Sequence, residues 1–366
     1  MQRRTFTSSP RRGPALAALI VGLCLLGGLL MGGVASAQNP LDAATGGGAK
    51  KKVPWRGSFI TGGYGVSHRT FDKGAQLTYD PNQAAQFSVL ARWWLGDSWH
   101  LRANTFVLHE FTENNITTQD NETQWFDTFV GVGGNMQVPG LGMIATGLFD
   151  VRLPTSKFSQ NESLMFGVRG GLGLIKPFKV LKGLALIANV QMTRFFHEFT
   201  TGEDEEQRIN GNSASRLSSN AYPGFDSFNG NFIGNGVSNA RWRMIYTGVV
   251  SLTVTNWLTF NVSGSVINDY LYRVNTLAED FTNQTFAPGE TPYTGPQQDT
   301  RFRGLLSTSV GANIQPWSAV GFNLSADAFH GQLEPNSEAN GYYTPFFNRF
   351  TTYNVGVVLN MGALVR

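Results

Sequence analysis

From residue 55 onward the chain alternates between apolar and polar side chains, in segments of ten residues or more separated by short turn signals. A two-residue period is that of a β-strand, whose successive side chains point to opposite faces. Residues 86–107 show the pattern in one hairpin. Phe87, Val89, Ala91, Trp93 and Leu95 share a face, and Gln86, Ser88, Arg92 and Trp94 share the other. Gly96-Asp97-Ser98 turns the chain, and Trp99, Leu101, Ala103, Thr105 and Val107 return opposite His100, Arg102, Asn104 and Glu110. Segments this long exceed the roughly 5–6 residues of an ordinary strand. They match the roughly 9–11 residues that a tilted strand needs to cross hydrocarbon.

The totals agree with that reading. Charged residues are 14% of the 366, against roughly 25% in an ordinary soluble domain, while the chain holds 43 glycines and 12% aromatics. Mean hydropathy is only −0.15. A helical membrane protein would be clearly apolar, whereas a barrel greases one side of each strand. Beyond the N-terminal region no run of about 18 apolar residues occurs, so the mature chain crosses a membrane as a closed sheet if it crosses one at all. The expected fold is all-β, a transmembrane antiparallel up-and-down barrel of about twelve strands, preceded by a cleaved signal peptide.

Residues 1–37 read as that signal peptide. Arg3, Arg4, Arg11 and Arg12 precede an apolar run from Ala15 to about Val34, and Ala35-Ser36-Ala37 gives the small-residue cleavage site. The rival reading of the same run is a transmembrane anchor. Arg3-Arg4 mimics a twin-arginine signal, but that route carries folded cargo and a barrel crosses unfolded. Leu23 stands before Cys24 where a lipoprotein would need a small residue. Removal of the peptide takes the sole cysteine with it, leaving no disulfide and no cysteine-based metal site. It also takes four arginines from a chain of net charge +3, so nucleic-acid binding has no support. Residues 38–54 form a flexible periplasmic lead and residues 55–366 the barrel.

The pattern repeats in 142–153, 241–255, 257–272, 301–315, 319–331 and the final strand. Short connections at 96–98, 137–141, 176–182, 255–257 and 315–318 alternate with long polar ones at 69–84, 113–123, 154–162, 200–240, 273–300 and 332–349. Short periplasmic turns and long external loops are the asymmetry of outer-membrane barrels. With the Trp-flanked turn Trp94-Leu95-Gly96-Asp97-Ser98-Trp99, the chain resembles the outer-membrane porin-like superfamily over its whole mature length. That resemblance implies an outer-membrane location, a periplasmic N-terminus, contact with lipid and lipopolysaccharide, and insertion by the barrel-assembly machinery. One departure is that the chain ends Met361-Gly362-Ala363-Leu364-Val365-Arg366 rather than on an aromatic residue.

The inward positions carry the functional expectation. They include Arg92, Arg102, Arg152, Arg169, Arg241, Arg243, Arg301 and Arg303, with Glu110, Asp127, Asp150, Asp269 and Asp327. Two readings follow: a polar pore for small solutes with a preference for anions set by rings of charge, or charges paired across a narrow barrel that brace it shut. The second would make the protein a non-conducting anchor for an envelope complex serving export, adhesion or motility. Apolar inward positions are Phe106, Leu108, Trp125, Phe129, Phe195 and Phe329, either a path for hydrophobic substrates or interior packing. His109-Glu110 and His197-Glu198 lie near strand ends, but no Ser-x-His or His-x-Ser spacing accompanies them, and H-E-x-x-H is absent. No catalytic residue, cofactor or metal site is expected. Glu203-Asp204-Glu205-Glu206 opens the longest loop and reads as a solvated acidic stretch, with a divalent-cation hold at the lipopolysaccharide surface as the rival reading, and the phenylalanines 225, 228 and 232 read as a constriction or partner site.

Overall fold

In the computed structural model, residues 53–73, 81–112, 121–200, 238–273, 301–331 and 344–364 are described. The signal peptide, residues 38–52 of the lead, and the long-loop features at 203–206, 225, 228 and 232 lie outside them.

Among the described residues, thirteen strands form one antiparallel sheet. In chain order they are β1 (Phe59–Ser67), β2 (Gln83–Trp94), β3 (Trp99–Glu110), β4 (Thr123–Trp125), β5 (Thr128–Val138), β6 (Met143–Leu153), β7 (Leu164–Phe178), β8 (Gly183–His197), β9 (Ala240–Thr253), β10 (Leu258–Leu271), β11 (Phe302–Ile314), β12 (Val320–Gly331) and β13 (Thr351–Asn360). Apart from β4 and β5, which both pair with β3, each pairs with its neighbour in sequence, and β1 pairs with both β2 and β13. The sheet therefore has no open edge, which is how a β-structure satisfies its backbone groups in lipid. β4 and β5 both lie against β3 and together make one wall position, so twelve strands span the barrel.

Burial follows the alternation. Outward positions such as Phe87, Trp93, Leu101, Phe149, Leu172, Phe260 and Val355 are exposed, forming the apolar belt that a membrane would cover. Among the described residues the inward face has no large apolar core. Small clusters stand in its place: Ile144, Ile175 and Ala185; Ile245, Ile267 and Leu305 with Phe329; Phe59 and Val358 with Leu90; Phe106 and Phe126 with Leu108.

Both ends of the strand sequence and all the short turns lie at one end of the barrel, and the strand ends that flank the longer connections lie at the other, called the loop end below. Residues 54–56 fold onto the short-turn end. Pro54 O accepts from Trp94 N at 2.7 Å, Trp94 Nε1 donates to Arg56 O at 2.7 Å, and the Arg56 guanidinium sits 4.2 Å over the Trp94 ring. At the loop end, the 154–162 connection contains a short helix, α1 (Lys157–Asn161), capped by Ser156, whose hydroxyl accepts from Ser159 N.

One expected orientation is corrected. Trp125 was read as inward, but it pairs with outward Val107, is 54% exposed, and donates from Nε1 to Thr105 Oγ1 at 2.8 Å. The cause is the step at Phe126–Asp127 between β4 and β5. In β4 the even residue Gln124 pairs with inward Leu108, whereas in β5 the odd residue Phe129 pairs with inward Asn104. An irregularity of this kind reverses the alternation on either side of it.

Candidate functional site: the charged lumen wall

Seven of the inward charges fall on one cross-strand row. Arg92 of β2 pairs with Arg102 of β3, and Arg102 with Gly131 of β5. Gly131 pairs with Asp150 of β6, and Asp150 with Arg169 of β7. Arg169 pairs with Thr193 of β8, and Thr193 with Arg243 of β9. Arg243 pairs with Asp269 of β10, and Asp269 with Arg303 of β11. Rows perpendicular to tilted strands climb a barrel wall. Arg92 stands two residues from the short-turn end of β2, and Arg303 is the second residue of β11, at the loop end. The expected ring of charge is thus a helical stripe that runs from one mouth to the other.

Along the stripe, each aspartate sits between two arginines. Asp269 accepts two bonds from Arg243, Nε to Oδ1 at 2.6 Å and Nη2 to Oδ2 at 2.8 Å, and a further 2.6 Å bond from Arg303 Nη2. Asp150 accepts from Arg169 Nε at 3.1 Å and from its Nη2, while Arg102 Nε approaches Oδ1 at 3.4 Å as an ion pair outside hydrogen-bond geometry. The fork of the guanidinium suits such paired contacts.

Glycine makes this arrangement possible. Arg102 and Asp150 are separated by β5 and meet across Gly131. A Cβ on Gly131 would lie 2.1 Å from Phe149 O and 2.6 Å from Asp150 Oδ1. The same device recurs at Gly133 beside His100 and at Gly173 beside Asn189 and Thr146. Bare glycine on β5 and β7 lets the side chains of neighbouring strands lie flat along the wall instead of pointing into the bore.

The next row toward the loop end, Asn104–Phe129–Arg152–Gly167–Phe195, supplies aromatic surfaces. Arg169 lies 4.1 Å over Phe129, and Arg243 and Arg152 lie 5.6 and 5.2 Å from Phe195. Phe129 and Phe195 therefore pack against the charged stripe.

Asp127 does different work. It accepts from Arg152 Nε, from Ser159 Oγ and from Ser156 N, the last at 2.9 Å. Arg152 Nη2 also donates to Ser159 Oγ at 3.0 Å. These bonds anchor α1 at the loop-end mouth, where Phe158 packs against Phe106 and Phe126, and Lys157 pairs with buried Glu122 at 3.3 Å. The sequence reading treated 154–162 as a plain loop. The Ser156 cap is the available signal, but five residues of helix are too few to show a period.

Asp327 stands off the stripe, on β12, and accepts from Ser325 Oγ at 2.8 Å and Asn354 Nδ2 at 2.7 Å. Gln86 Nε2 continues the chain to Asn354 Oδ1 at 3.2 Å. Arg241 and Arg301 are exposed at the loop-end rim. Glu110 is fully buried and accepts from Thr112 Oγ1 at 2.6 Å. Of the histidines, His109 Nδ1 lies 2.8 Å from Thr123 Oγ1, and His197 Nδ1 lies 2.7 Å from Glu162 O.

No family model matches the chain, and no curated protein does. Among solved structures, an outer membrane channel from Pseudomonas putida F1 is similar over 85% of this chain and 96% of that one, with TM-score 0.47 and 9% identity. The NanC porin covers 83% and 100%, with TM-score 0.42 and 10% identity. The outer membrane phospholipase A from Escherichia coli covers 90% and 98%, with TM-score 0.34 and 11% identity. Identities this low concern the fold alone. The described residues by themselves form a closed antiparallel β-barrel with a twelve-strand wall, an outward apolar belt and a polar interior.

Proposed function

We propose that the protein is an outer-membrane channel for small polar solutes, with its short turns and strand termini toward the periplasm and its long loops toward lipopolysaccharide. The supporting observation is the direction of the lumen's ion pairs. Arg243 and Arg303 meet Asp269 from adjacent strands, Arg169 meets Asp150 from an adjacent strand, and Arg102 reaches it over a single glycine position. These pairs run along the wall. A barrel braced shut would send them across the bore. The reading assigns no reaction to the protein.

Refolded barrel in a planar bilayer should give discrete conductance steps. A correctly folded barrel, shown by heat-modifiable migration in gels, that stays silent would rule the reading out. A second reading, a non-conducting anchor for envelope-complex proteins, draws on the same two carboxylates: each is fully buried and held by two arginines, which stiffens the wall. Crosslinking in whole cells would then recover stable envelope partners.

A further inference from the structure

We infer that the climbing stripe is a track for small organic anions, along which a solute carboxylate passes from one guanidinium to the next. The inference rests on the channel reading and adds a substrate class to it.

The first ground is charge. The stripe holds five arginines against two aspartates. The second is what a solute meets. The side chains of Asp150 and Asp269 are 0% exposed, whereas those of Arg102 and Arg303 keep 15%, Arg169 11% and Arg243 6%. The acids lie behind the bases, so the surface offered to the lumen is cationic along the stripe. A guanidinium has five N–H donors in a rigid fork, and one or two bonds to an aspartate leave others for a passing carboxylate. The third ground is order. Asp150 and Asp269 hold these four arginines, and Phe129 and Phe195 flank two of them, Arg169 and Arg243, so less side-chain entropy is lost when a solute docks. The fourth is continuity. The stripe reaches from Arg92, two residues inside the short-turn end of β2, to Arg303, the second residue of β11 at the loop end, so a carboxylate leaving one arginine finds the next before it is back in bulk water. A series of moderate sites is what conduction requires, since a single tight site would hold its ligand.

The test uses the full barrel in planar bilayers under a potassium chloride gradient. Wild type should pass chloride in preference to potassium, and sodium glucuronate added to one side should lower the chloride current by competition. In the double variant Arg102→Gln, Arg303→Gln, each buried carboxylate keeps one arginine, Asp150 with Arg169 and Asp269 with Arg243. Its chloride-to-potassium permeability ratio should fall by about threefold or more, and glucuronate block should weaken in parallel. Should that variant fail to fold, Arg92→Gln at the short-turn mouth reads the same quantities with a smaller drop. A conducting wild type that prefers cations, or a folded variant with unchanged ratio and unchanged block, overturns the track while leaving the channel standing. Absence of any current in a folded barrel removes the channel and the track together.

Discussion

At the scale of single residues, glycine decides the interior. Gly131 and Gly170 look alike in the sequence, each within an alternating glycine-rich strand. Their surroundings differ: Gly131 faces inward under the Arg102–Asp150 pair, while Gly170 has nothing within 4 Å of a built Cβ. Gly131→Ala should therefore cost about 1–3 kcal/mol through overpacking. It should also push Arg102 off Asp150. Gly170→Ala should be close to neutral. Urea unfolding in lipid vesicles, followed by tryptophan fluorescence, separates the two, and equal midpoints would defeat the argument. Alternation alone assigns Arg92, Arg102, Asp150, Arg169, Arg243, Asp269 and Arg303 to one face of their strands. What each one touches was not legible, because contact depends on the neighbouring strand's register. Asp150 and Asp269 read as two acids among many, and their role as centres of arginine pairs is a product of pairing.

At the scale of elements, strand existence and the placing of short turns followed from the two-residue period and from turn residues such as Gly96-Asp97-Ser98. Two elements escaped. The β4–β5 step breaks the period, and continuing the alternation through it turned Trp125 inward on paper. The helix α1 is too short to announce itself, and tertiary bonds to Asp127 and Arg152 hold it rather than helical propensity. The strand faces themselves make a sharp prediction. Leu172, near the middle of β7, is 75% exposed on the outer face, and Gln191, on the adjacent strand β8, faces inward beside Gly171. Arginine at Leu172 places a charge in the hydrocarbon and should destabilise the folded barrel by about 2–4 kcal/mol. Arginine at Gln191 adds to the cationic wall and should leave folding yield nearly unchanged. Reversible folding into vesicles measures both, and a greater cost at Gln191 would mean that the two faces are assigned the wrong way round.

At the scale of the whole barrel, the stripe exists because closure displaces each strand relative to the last. Residues as distant in sequence as Arg92 and Arg303 come to share one row, and no local pattern foretells that, so a ring was the natural expectation. The difference has a measurable consequence. A narrow ring that strips water from an ion discriminates at close range, where salt screens little. On the channel reading, a stripe on the wall of the bore acts mostly through its field, and its two aspartates already weaken that field at a distance. The Debye length falls from about 10 Å at 0.1 M salt to about 3 Å at 1 M. The anion preference should therefore be clear in dilute potassium chloride and shrink toward unity in concentrated solution, while conductance itself rises. Reversal potentials taken at a fixed gradient ratio over that range decide the point. A preference that stays constant up to 1 M would place discrimination in a tight dehydrating constriction, for which the inward-anchored α1 at the loop-end mouth is the structural candidate, and would take it away from the stripe.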